Sequence, residues 1–92
     1  MSIDKLKNKS LREAAHHLNP IIWVGKNGIT KNVIKEIIQA LEHHELIKIK
    51  LLQTEKEQRK IDIEKICKFT DSQLINNVGN ILVIYKENNQ KS

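Results

Sequence analysis

The chain is poor in several residue types at once. Its 92 residues include one cysteine, one proline, three glycines and three aromatics, Trp23, Phe69 and Tyr85. The lone Cys67 cannot close an internal disulfide, whereas extracellular domains of this size usually depend on several. No apolar run approaches the ~18 residues needed to span a bilayer. Residues 1–9 mix Asp4 with three lysines, so they lack the apolar core of a signal peptide. A soluble protein of a reducing compartment is expected, placed in the cytoplasm and away from membranes. Scarce aromatics also leave few platforms on which unpaired bases could stack.

What the chain does have is aliphatic bulk and positive charge. Fifteen isoleucines and nine leucines supply a core. A chain this short buries only ~60–65% of its unfolded surface, which allows one domain and no large substrate cavity. That domain is expected to span 1–92, with a core at about 4–86 and a polar tail at 87–92. Sixteen Lys and Arg against eleven Asp and Glu give a formal charge of +5. A basic balance favours a phosphate-bearing partner, although it also serves solubility alone.

Hydrophobic spacing sets the element order. Leu11, Ala14, Ala15 and Leu18 share a helical face, predicting a helix over about 4–17 that stops before Pro20. The apolar run 21–24, bounded by Pro20 and Gly25, reads as a buried strand. Within it Trp23 is expected to be core or half-buried. Thr30 is positioned to cap a second helix, whose apolar face runs through Val33, Ile34, Ile37, Ile38 and Leu41. Residues 46–52 alternate, with Ile47, Ile49 and Leu51 on one face and Lys48 and Lys50 on the other. A third helix is predicted over about 56–69. Strands follow at 73–78 and 81–85, joined by the hairpin pair Gly79-Asn80. The last strand is the most apolar and is expected inside the sheet. The fold class is therefore α/β, in the order α-β-α-β-α-β-β, with one mixed four-stranded sheet and helices packed on it.

The most informative local feature is the loop Gly25-Lys26-Asn27-Gly28. It joins a strand to a helix start. Its glycines permit a sharp turn and a close ligand approach. The first amides of the following helix lack intrahelical partners and sit at the positive end of its dipole, an arrangement suited to phosphate. The loop also reads simply as a tight turn. It lacks the glycine spacing and Lys-Ser/Thr pair of a nucleotide-binding loop, and the third glycine of a dinucleotide fingerprint. Lys31 and Lys35 lie on the second helix near its start, and Arg12 lies on the first. Charges on the third helix alternate in sign and largely cancel.

Other chemistry finds little support. His16-His17 and His43-His44 sit at helix ends, where they can satisfy free carbonyls, and no set of converging ligands for a metal accompanies them. No nucleophile has a triad partner. The sequence predicts neither enzyme activity nor a cofactor, metal or small-molecule substrate.

Three blocks in order carry a resemblance. They are Leu11-Arg12-Glu13-Ala14-Ala15-His16-His17-Leu18 with Pro20, then Gly25-Lys26-Asn27-Gly28-Ile29-Thr30, then Ala40-Leu41-Glu42-His43-His44-Glu45-Leu46-Ile47-Lys48-Ile49. Together with Asn77-Val78-Gly79-Asn80 and the strand after it, they resemble the CRM domain (chloroplast RNA splicing and ribosome maturation), in its stand-alone bacterial YhbY-type form. The resemblance implies a fold similar to the C-terminal domain of translation initiation factor three. It also implies RNA binding through the glycine loop and adjoining basic residues, a role in large ribosomal subunit assembly, and no cofactor or catalysis. Gly25, Lys26, Asn27, Gly28 and Arg12 match the motif blocks. Lys48 is added from its strand position, which is expected to be exposed. Many bacterial members carry an acidic residue where this chain has Lys31, and the extra positive charge should strengthen phosphate contact.

The expected partner is thus structured RNA, ribosomal RNA or particles on the way to the large subunit, bound by a monomer through shape and backbone. The alternative is a protein-interaction module on pre-ribosomes or an assembly factor, using the Lys48/Lys50 strand face or the helices, with RNA contact incidental.

Overall fold

A computed structural model describes residues 5–87, with side chains from Asn8 onward. The expected helix start at Asp4 and most of the expected tail, 88–92, lie outside the described residues. The elements are α1 (Lys5–Ala15), β1 (Ile22–Val24), α2 (Lys31–His44), β2 (Leu46–Leu51), α3 (Lys56–Thr70), β3 (Gln73–Val78) and β4 (Ile81–Tyr85). Order and type agree with the expectation from spacing. The helix α1 ends two residues early. The amides of His16, His17 and Leu18 reach the carbonyls three residues back, at 3.2, 3.3 and 3.0 Å, and this tightened turn leads into Pro20.

The four strands form one sheet in the order β1-β2-β4-β3. Strands β1 and β2 are parallel, with α2 as their crossover. Strand β4 runs antiparallel to both neighbours, so β2 and β3 point the same way with β4 between them. The expected internal position of the last strand is observed. Leu82, Val83, Ile84 and Tyr85 are all buried, because β4 is covered on both faces.

Each face of the sheet has its own core. On one, Ile22, Val24, Ile47, Ile49, Leu51, Leu82 and Ile84 pack against Ile37 and Leu41 of α2 and Ile63 and Ile66 of α3. Removing one of these buried side chains to alanine costs about 2–5 kcal/mol. On the other face, Ala15, Leu11 and Leu18 cover Ile75, Val83, Tyr85 and Leu46. Ile75 reaches this smaller core through a bulge, since the β3–β4 register skips from Leu74 to Asn76.

Two expectations need correction. Ala14 is exposed, because α1 meets the sheet along a stripe narrower than its apolar spacing. The run 21–24 is not a fully buried strand. It forms the edge strand β1, whose Ile22 and Val24 face the large core, while Ile21 and Trp23 are 46% and 55% exposed. The reason is coverage: α1 lies over β2, β3 and β4 and leaves the β1 end of that face open.

Candidate functional site

The glycine loop is a four-residue turn. Gly28 donates its amide to the Gly25 carbonyl at 3.1 Å. Lys26 and Asn27 form the exposed tip. Gly28 has φ +92°, a conformation that side-chain-bearing residues rarely adopt, so its glycine is a requirement of the turn. Gly25 is different. It has no positive φ, and a Cβ built on it would meet no atom within 4 Å. The fold therefore does not demand glycine there.

Thr30 caps α2 as expected. Its backbone is extended, at φ −115° and ψ 166°, and its hydroxyl accepts from the Val33 amide at 3.1 Å. One of the orphan amides of the helix start is thereby satisfied, leaving the groups ahead of it for solvent or a ligand. The first turn of α2 contains no acidic residue, and its first position is Lys31, which is exposed. Helix N-termini ordinarily favour negative charge. This one carries a cation instead, an arrangement that an external anion would offset.

Arg12 and Lys48 occupy a second place. Arg12, in the last turn of α1, and Lys48, half-buried in mid-β2, line one cleft with His16, Ala15, Asn76, Val78, Ile81 and Val83. The Lys48 carbonyl accepts from the Ile21 amide at 3.0 Å, which sets Lys48 level with Ile21. Four strand residues separate that level from Gly25, or roughly 13 Å. The expected site is thus divided. Lys26 and Lys31 accompany the glycine turn, while Arg12 and Lys48 gather on the α1 face of the sheet.

Comparison with known proteins places the chain. Residues 3–86 match the model of the CRS1 / YhbY (CRM) domain. The chain belongs to the CRM domain family. Its relatives include the Bacillus subtilis protein named "Probable RNA-binding protein YqeI", 44% identical over 84 residues, covering 91% of this chain and 88% of that one. A Haemophilus influenzae protein named "RNA-binding protein" is 42% identical over 76 residues, covering 83% and 77%. The solution structure of Staphylococcus aureus SAV1595 superposes with a TM-score of 0.84 at 35% identity, covering 99% of this chain and 95% of that one. The family and these relatives are described by a binding role and not by a reaction.

Within this CRM domain, three further residues outside the expected RNA site lie on the α1 face, Trp23, Lys50 and His16. Trp23 was expected to be core or half-buried, Lys50 entered only the alternative protein-interaction reading on the Lys48/Lys50 strand face, and His16 was assigned to a helix end. The uniformly apolar run Ile21-Ile22-Trp23-Val24 gave no signal of this, since strand geometry puts Trp23 opposite the core-facing Ile22 and Val24 but only the edge position of β1 leaves that side open. Among the described residues, no group of three or more His, Cys, Asp or Glu could hold a metal ion, and no helix is long and apolar enough to cross a membrane.

Proposed function

We propose that this CRM domain binds structured ribosomal RNA during assembly of the large ribosomal subunit, through the glycine turn and the basic residues around it. The observation that carries the reading is the exposed Gly25–Gly28 turn beside a capped helix start with no acidic residue in its first turn. The relatives' names, which state RNA binding, support the same reading.

A phosphate meets the amides at the tip, Lys26 and Asn27, together with the first amides of α2. The Gly28 amide takes no part, because the turn already uses it. Lys26 and Lys31 add charge, and Arg12 and Lys48 take a neighbouring stretch of backbone along the sheet. Contacts of this kind position the RNA and supply affinity without reading base identity.

Crosslinking in cells followed by RNA sequencing tests the proposal. The expected result is enrichment of large-subunit ribosomal RNA, lost in the Lys26→Glu variant. Partners that survive ribonuclease, with no RNA enriched, would replace it by the protein-interaction reading.

A further inference from the structure

The α1 face of the sheet is only half covered, and the open half has an ordered composition. Cross-strand register puts Trp23 beside Lys50, Lys50 beside Ile81, and Ile81 beside Val78, in one row across all four strands. The next row contains Lys48, Val83 and Asn76. Trp23 and Val78, at the two ends of the first row, are 55% and 66% exposed. Arg12 and His16 of α1 overhang the second row and close a cleft of about 300 Å³, at the small end of ligand-sized hollows. Its lining includes cations and no carboxylate. An exposed aromatic face with Lys50 beside it, Lys48 in the next row and Arg12 at the cleft beyond is a good seat for a base followed by its phosphates.

We propose that an unpaired nucleotide of the bound RNA stacks its base on Trp23, with the backbone continuing past Lys50 and Lys48 toward Arg12. The inference rests on the RNA-binding reading and extends it from phosphate contact to base contact. Continuity supports it, since Trp23 lies two strand residues before Gly25, about 7 Å away. A strand whose phosphate meets the glycine turn can therefore lay a neighbouring base on the indole. Charge also selects the occupant, because positive groups flanking an apolar face match a polyanion with aromatic bases. Shape and backbone recognition, expected from the low aromatic count, is then supplemented by one stacking position.

Trp23 is the only tryptophan, so its fluorescence reports this site alone. The full chain is titrated with an RNA hairpin containing unpaired loop nucleotides and with a fully paired duplex of the same length. The hairpin is expected to quench Trp23 emission as it saturates, while the duplex binds without quenching. Trp23→Leu is expected to lose about tenfold in affinity for the hairpin and little for the duplex, and Trp23→Phe to keep most of it. Circular dichroism confirms that both variants fold. Unchanged emission at saturating hairpin, with Trp23→Leu binding like the parent, overturns the stacking site. Weakening of both RNAs by Lys26→Glu in that same case leaves the loop reading standing. Quenching that persists when Lys26→Glu and added salt have no effect would uphold stacking and overturn the loop. A saturable competitor that is a protein and not RNA would overturn both.

Discussion

Replacing Lys31 by glutamate should make the fold more stable and the RNA complex weaker. Lys31 opens α2 and faces the positive end of the helix dipole, in a first turn that contains no acid. Exchanging a cation for an anion there removes one unfavourable interaction and adds a favourable one, each about 0.3–1 kcal/mol. Lys35 lies four residues on, so a like-charge pair also becomes Glu–Lys in the better orientation, adding about 0.2–0.5 kcal/mol. Both side chains are exposed, and solvent screening keeps the total near the low end, about 1 kcal/mol. For a domain of this size that raises Tm by roughly 4–8 °C. Thermal unfolding followed by circular dichroism at low and high salt measures it. The rise should shrink as salt increases. In parallel, affinity for structured RNA should fall, because a phosphate-facing cation has become an anion. A lower Tm at low salt would refute the electrostatic account of the helix start. A higher Tm with undiminished RNA affinity would remove Lys31 from the interface.

Other substitutions separate structural from binding roles. Gly28→Ala, at φ +92°, should destabilise by about 1–3 kcal/mol. Gly25→Ala should leave stability within about 0.5 kcal/mol, as denaturant melts would show, yet still weaken RNA binding if a ligand approaches the backbone there. Thr30→Ala removes the cap to Val33 and should cost about 1 kcal/mol in the same melts. Asp62 is 1% exposed, with Oδ1 accepting from Gln58 and Oδ2 without a hydrogen-bond partner. Asp62→Ala leaves Gln58 Nε2 without this acceptor and empties a buried position, and should cost about 1–3 kcal/mol in the same melts. Burial pushes the Cys67 thiol above its ordinary value of 9.0, with a hydrogen bond to Ser72 opposing the shift. The native thiol should therefore react with disulfide reagents more slowly than that of the unfolded chain at neutral pH. The same shift gives stability that is fully present below the unfolded thiol's pKa and declines as pH rises through the folded value.

Much of this fold can be read from spacing because each element satisfies its own local rule. The strands at 73–78 and 81–85 have the expected bounds, and the Gly79-Asn80 connection between them needs the φ of +60° that glycine supplies. Thr30 signals its helix by chemistry alone. Burial at β1 could not be read in this way. A four-residue apolar run looks the same at the centre of a sheet and at its edge, and only the placement of α1 over β2, β3 and β4 decides that Trp23 is open. The bulge at Ile75 is similar, since it depends on the register with β4. For the candidate site, the turn was legible and its division from Arg12 and Lys48 was not, because that separation is set by strand register across the sheet.

The central claim is that phosphate contacts at the glycine turn hold RNA. The salt dependence of affinity for a structured RNA tests it most directly, comparing the parent with a Lys26→Gln/Lys31→Gln double variant. Each lost phosphate contact should reduce the slope of log K against log salt by roughly 0.7–0.9. The account predicts a slope shallower by about 1.5 in the double variant, with its fold intact. An identical slope in both proteins would contradict it.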